Sequence, residues 1–232
     1  MQCDFEIAGV DSVIIRLGSQ PNEHLVHRVG AVAQLIQRQF SHLVVDVIPS
    51  YTTVLVVYDI RQIHYQQLCE QVQQCLIDTD LLSDAGDAKK ARSVVRLPVC
   101  YDPSVGLDIQ RLSDQLSLPI QDIIRRHSQV TYQVYAIGFS PGFGYLGQVD
   151  PLLQVPRLAT PRKAVPAGSV AIAEAYSAVY PQQSPGGWWI IGRCPTPLFD
   201  PNRDPINLLS VGDHVVFEPI GLEAFHAVQE AR

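Results

Sequence analysis

Gly138-Phe139-Ser140-Pro141-Gly142-Phe143-Gly144-Tyr145-Leu146-Gly147 decides how the larger part of this chain is read. A helix cannot run through a segment so rich in glycine and proline. The Ser140-Pro141-Gly142-Phe143 string suits a type II turn, in which proline presets φ at the second position and glycine takes positive φ at the third. Just before it, Thr131–Ile137 is rich in β-branched and aromatic residues and reads as a strand. Two more Gly/Pro-rich segments follow, Ala159–Val170 and Tyr180–Arg193, and Ser184-Pro185-Gly186-Gly187 repeats the chemistry of the first turn. Further strands are expected at Ser169–Ala173, Trp188–Gly192 and His214–Glu218. Strand, turn, strand from Val130 to the end describes a β-barrel or sandwich.

Working toward the N-terminus, a strand is expected at Ser93–Val99 and short helices at Asp108–Leu116 and Pro119–His127, with Pro119 suited to the first helical position. Asp78–Arg92 has little periodicity and reads as connecting chain, with the linker placed at 83–92. Before it the order is ββαββα. Residues 5–17 alternate around Gly9. Asn22 suits a helix cap, and Leu25, Val29, Val32, Ile36 and Phe40 share one helical face. Leu43–Ile48 and Val54–Tyr58 read as strands, and Tyr65, Leu68, Cys69, Val72, Cys75 and Leu76 mark a second amphipathic helix. The expected architecture is a small α+β domain over 1–82 followed by a mainly-β domain over 93–232.

The 232 residues, 47% of them hydrophobic, suffice for a sizeable core. A net charge of −6 argues against nucleic acid or an anionic membrane surface as partner. No apolar run approaches the roughly 18 residues a bilayer requires, and Met1-Gln-Cys-Asp-Phe-Glu has no signal-peptide pattern. Cys3, Cys69, Cys75, Cys100 and Cys194 lack CxxC spacing and read as reduced thiols of a cytoplasmic protein.

Arg162 and Lys163 are adjacent in a turn-rich segment and read either as a solvated charge pair or as an anion site. Trp188 and Trp189, if in a strand, point to opposite faces, one to the core and one to solvent, a ligand or a partner. His127, at a helix end, is either a hydrogen-bonded histidine favoring its charged form or a proton carrier. No histidine spacing suggests a metal site. There is no phosphate-binding loop, no dinucleotide fingerprint and no nucleophile elbow. What is left is part of an active site, or a binding module.

Gly142-Phe143, Tyr145-Leu146-Gly147, Thr160-Pro161-Arg162, Val165–Val170, Ser184–Trp188, Gly192-Arg193, Leu198-Phe199-Asp200-Pro201 and Val211-Gly212-Asp213 occur in fixed order, with Pro98–Tyr101 and His127-Ser128 upstream. Together these strings resemble the KipI / allophanate hydrolase subunit 1 family. Gly144, Cys194 and Gln148-Val149 depart from its usual pattern. The resemblance implies a cyclophilin-like β-barrel after the α+β domain. It implies the B subunit of an ATP-dependent 5-oxoprolinase, which opens 5-oxoproline to L-glutamate together with an A subunit and a C subunit related to allophanate hydrolase subunit 2. ATP, with Mg, would bind at a site shared with the C subunit. Other family roles are inhibition of a sensor histidine kinase and service in a urea or amide carboxylase–allophanate hydrolase system. The residues expected to act are His127 as acid/base, Arg162 and Arg193 against phosphate or carboxylate charge, and Gly142, Phe143, Tyr145, Lys163, Ser169, Gly186, Gly187 and Trp188 in substrate or nucleotide binding.

Overall fold

The computed structural model describes residues 3–79 and 94–230. The linker expected at 83–92 lies outside the described residues. The chain divides into two compact units, Met1–Ala91 and Arg92–Arg232.

In the first unit the elements are β1 (Asp4–Gly9), β2 (Ser12–Arg16), α1 (Glu23–Gln39), β3 (Val44–Ser50), β4 (Thr53–Tyr58) and α2 (Tyr65–Asp78). The strands form an antiparallel sheet in the order β1-β2-β4-β3. Alternation decides which sheet face is buried: Val13 and Ile15 of β2 and Val54, Val56 and Tyr58 of β4 share a core with Leu25, Val29, Val32 and Ile36 of α1 and Leu68, Val72 and Leu76 of α2. Helix α1 begins where Asn22 turns its side-chain oxygen back to the Leu25 N–H at 3.0 Å, satisfying one of the free amides of the first turn.

The second unit holds β5 (Val94–Cys100), α3 (Ile109–Leu116), α4 (Ile120–Ser128), β6 (Thr131–Ile137), β7 (Gly144–Gly147), β8 (Arg162–Val165), β9 (Ser169–Ala173), β10 (Tyr176–Val179), β11 (Ser184–Gly186), β12 (Trp189–Arg193), β13 (His214–Ile220) and α5 (Leu222–Glu230). Seven strands run in the order β6-β13-β5-β12-β9-β10-β7, and β7 pairs back onto β6. The sheet is therefore a closed barrel, which leaves no free edge in the ring. All its pairings are antiparallel except β13 with β5. The remaining strands, β8 and β11, form a separate two-stranded ribbon.

One core draws on every barrel strand: Leu97 and Val99 (β5), Tyr132 and Val134 (β6), Leu146 (β7), Val170 and Ile172 (β9), Val179 (β10), Trp189 and Ile191 (β12), and Val215 and Phe217 (β13). A cluster supplied from all seven directions is the barrel interior, filled by side chains as a small barrel must be. Ile109 and Leu112 of α3 and Ile123 of α4 pack into the same core.

Two local expectations are corrected. Ser184–Gly186 is strand β11, not a turn, and Gly186 has no positive φ. The chain also does not run in strands to its end, because α5 follows β13 and buries Phe225. The first turn has the expected form: Gly142 takes φ 81° and the Phe143 N–H donates to the Ser140 carbonyl at 3.0 Å.

Candidate functional site

Strands β7, β9, β10 and β12 bury their outer faces as well as their inner ones. On the outside, Ala171, Ala173, Ala178 and Ile190 form a floor with Phe143, Val165, Tyr180 and Trp188, and Tyr145 and Tyr176 pack against it half-buried. Small alanines on β9 and β10 leave room for rings above them. Phe143 is the hub, with its ring centroid 5.0 Å from Tyr145, 5.4 Å from Tyr180 and 5.9 Å from Trp188, each edge-on. Phe139, 62% exposed and at φ 70°, adds an outer ring 5.2 Å from Phe143 and 6.3 Å from Tyr180.

The two tryptophans take opposite faces of the barrel wall, and both are buried. Trp188 joins the outer aromatic cluster, and Trp189 enters the interior with its Nε1–H donating to the Pro156 carbonyl at 2.8 Å. The opposite faces and the core placement of one ring are as expected; of the outlets expected for the other ring, open solvent is ruled out, because the outer face is itself covered. Burial pushes the Tyr180 phenol up in pKa, against the opposing effects of a hydrogen bond from the Trp188 backbone and the charges of Arg157 and Arg162. Its hydroxyl fills the space a side chain on Gly186 would need, with Cζ only 2.9 Å from an added Cβ.

Arg162 opens the β8 strand beside this cluster. Its Nη2 donates to Oδ1 of Asp108 at 2.6 Å, and Asp108 is 2% exposed. The Asp108 Oδ2 accepts the Ile190 N–H at 2.8 Å. Nη1 of Arg162 is buried without a protein partner, and so are the hydroxyls of Ser184 on β11 and Ser140 in the turn that carries Phe143. Each such group leaves an uncompensated desolvation cost that a ligand oxygen or water could relieve.

The other expected residues are distributed differently. Lys163 is exposed, and strand alternation turns it to the face of the ribbon opposite Arg162, so adjacency in sequence does not join the two cations. Arg193 donates its Nε–H to the Ala167 carbonyl at 2.9 Å and lies over the Phe225 ring of α5, held by elements other than those that hold Arg162. Ser169 is buried at the start of β9, and its carbonyl accepts the Tyr180 N–H at 2.9 Å. Gly142 packs against Phe199 and Leu198, and Gly187 against Pro161.

His127 is hydrogen-bonded at the end of α4, as one of its two readings has it, but it is deeply buried and not in the charged form. It lies fully buried in the barrel, stacked on Phe217 at 4.6 Å, with Nδ1 bonded to the Tyr101 hydroxyl at 2.7 Å and Nε2 to the Ser177 hydroxyl at 2.8 Å. Burial lowers its pKa to about 3, so it is neutral at ordinary pH and not the charged form a helix C-terminus favors. Both ring nitrogens are occupied by the core, which leaves none to serve a substrate on the outer face.

Sequence reading missed Asp108, Tyr180 and Phe139. Asp108 lies 54 positions from Arg162, so no local pattern links them. Tyr180 could have been found from its place directly before Pro181, at the end of the segment that follows Tyr176 by alternate residues. Among the described residues no helix is long and apolar enough to cross a membrane, and no three His, Cys, Asp or Glu side chains group as they would around a metal ion.

The model of the carboxyltransferase domain, subdomain C and D, matches residues 3–209. The B subunit of 5-oxoprolinase from Bacillus subtilis (strain 168) is 34% identical over 231 residues, covering 97% of this chain and 96% of that protein. The B subunit of 5-oxoprolinase from Escherichia coli O157:H7 is 43% identical over 125 residues, covering 54% of this chain and 57% of that protein. Among solved structures, the crystal structure of TTHA0988 superposes with a TM-score of 0.78 at 31% identity; the match covers 90% of this chain and 39% of that longer one. With that model matching most of its length, the chain belongs to the carboxyltransferase subdomain C and D family, and it is similar along nearly all of its length to a 5-oxoprolinase B subunit.

Proposed function

We propose that this chain is the B subunit of an ATP-dependent 5-oxoprolinase, opening 5-oxoproline to L-glutamate in a complex with A and C subunits. The observation that carries the reading onto the structure is the unpartnered, buried Nη1 of Arg162 beside the Phe143–Tyr180–Trp188 surface. 5-Oxoproline is small and flat, with a carboxylate and a lactam carbonyl. A guanidinium edge with a free N–H pair suits either oxygen group, and a wall of rings suits the apolar ring face while excluding water.

ATP, when bound, would supply a phosphoryl group to the lactam oxygen, which makes the carbonyl carbon open to attack by water. The residues fit a shared nucleotide site better than a complete one. Arg162 and the Ser184 and Ser140 hydroxyls can meet anionic oxygens, but the sequence has no phosphate-cradling loop. In this reading the C subunit would complete the nucleotide site, and Mg would accompany the ATP. Arg193 and Lys163, on other faces, would serve subunit contacts or the phosphate tail. His127 maintains the barrel. The reading includes an α+β first unit, a cyclophilin-like barrel as the second, and a cytoplasmic location.

ATP hydrolysis by the chain alone and mixed with its A and C subunits, with and without 5-oxoproline, tests it. Turnover is expected only in the full mixture and only with 5-oxoproline. Turnover that ignores 5-oxoproline, or a full mixture of folded subunits without turnover, would overturn the reading.

A further inference from the structure

Asp108 reaches the site without facing solvent. Its own N–H donates to the Ile190 carbonyl at 2.8 Å while its Oδ2 accepts the Ile190 N–H at 2.8 Å, so main chain and side chain together clamp one residue of β12. Ile190 is two residues beyond Trp188 and shares its outer cluster. The remaining oxygen, Oδ1, takes Nη2 of Arg162. One buried carboxylate thus ties α3, the strand that carries the aromatic wall, and the ribbon that carries the cation.

The pairing uses only part of the guanidinium. Arg162 offers a planar fork of N–H groups, and with Nη2 committed to Asp108 the direction of Nη1 is fixed. Nη1 is buried and has no protein acceptor. Ser184 lies on the adjacent strand of the ribbon, where Gly186 registers with Arg162 and Ser184 with Val165, and its hydroxyl is likewise buried and unpartnered. A guanidinium anchored at one nitrogen, with the other buried and left without an acceptor, is organized for a ligand oxygen and not for the fold alone.

We propose that Asp108 is a positioning residue: it holds Arg162 by Nη2 so that Nη1 receives an oxygen of a small carboxylate or cyclic amide. This rests on the 5-oxoprolinase reading for the identity of that ligand. Asp108 itself touches no substrate. Its contribution is ground-state binding, realized through Arg162, so its loss raises KM more than it lowers kcat.

A mutant cycle in the assembled complex of A, B and C subunits tests this. In Asp108→Asn an amide oxygen can still accept the Ile190 N–H, but the charge that holds Arg162 is gone. KM for 5-oxoproline is expected to rise about tenfold or more with kcat within about twofold, and the same substitution in an Arg162→Met background should change neither constant. An unchanged KM in the native background, or an equal further loss in the Arg162→Met background, would overturn the proposal. A wild-type complex without 5-oxoproline-dependent turnover would remove the 5-oxoprolinase reading instead, and the positioning role is then decided on the chain alone by 15N NMR of the Arg162 guanidinium. Separate, exchange-protected Nη signals are expected in the wild type and averaged ones in Asp108→Asn; identical spectra would overturn it.

Discussion

The rings of Phe143 and Tyr180 meet edge-on, centroids 5.4 Å apart and planes at 82°, and this contact fastens the Ser140–Phe143 turn to the outer wall of the barrel. The turn contributes Phe143 as a ring from above, and the chain leaving β10 contributes Tyr180 from below. Because Phe143 also touches Tyr145, Trp188 and Phe139, its removal takes away most of the ring contacts of this surface and leaves only Tyr145–Trp188 and Phe139–Tyr180 among those described. Phe143→Ala should cost about 3–5 kcal/mol in a urea titration, in the range for a buried aromatic. A loss below about 1 kcal/mol would show that the cluster does not hold the turn.

Gly186 tests the same surface from the ribbon. A methyl group there would strike the Tyr180 hydroxyl, and no positive φ complicates the substitution. Gly186→Ala should destabilize by roughly 1–3 kcal/mol through overpacking. Tyr180→Phe in the same chain should return part of that loss, since it removes the atom in the way. Thermal melts of the two single variants and the double variant measure the coupling.

Arg162 faces the buried Asp108, so a charge-reversing Arg162→Glu would set two carboxylates together and confuse folding with function. Arg162→Met is the cleaner change. It should lower stability by about 1–3 kcal/mol, less than for a fully buried pair because the Arg162 side chain is 28% exposed. Adding Asp108→Asn should raise the melting temperature above that of Arg162→Met alone, since the stranded charge is then removed. A double variant less stable than the single one would contradict the pairing.

His127 makes a prediction about pH. Its pKa is about 3 in the fold, against an ordinary value near 6.5 when unfolded. Below about pH 6.5 the unfolded chain takes up a proton that the folded chain refuses, so stability is full above that pH and falls as pH drops toward 3. The slope is about 1.4 kcal/mol per pH unit from this residue alone. Denaturation midpoints at pH 7 and pH 5 should show it, and the contribution should vanish in His127→Gln. NMR of the imidazole should show no titration between pH 5 and 8.

How much of this is legible in the sequence follows from where each signal lies. The first unit can be read closely because its elements are amphipathic: Val13 and Ile15 alternate with half-exposed neighbors, and Leu25, Val29, Val32 and Ile36 keep helical spacing. Strands β8, β10 and β11 of the second unit carry no such signal. They are only three or four residues long, and in β10 three of the four residues are buried, which erases the alternation. Ser184-Pro185-Gly186 has the composition of a turn, and only its pairing with β8 makes it a strand. At the site, Arg162 and the aromatic residues Phe143, Tyr145 and Trp188 are visible because turns and rings stand out locally. The grouping of Lys163 with Arg162 fails because adjacency in sequence is not proximity in a strand, which separates neighbors. Asp108 has no local signal, since its role depends on Ile190 and Arg162 far along the chain.

In the proposed function the unpartnered edge of Arg162, beside the Phe143–Tyr180–Trp188 surface, receives 5-oxoproline. Calorimetric titration of 5-oxoproline into the assembled complex, with the native chain and with Arg162→Met, tests it most directly. Affinity should fall roughly tenfold to a hundredfold, the worth of a charged hydrogen bond, while the complex still assembles on gel filtration. Equal affinity in the two assembled complexes would contradict it.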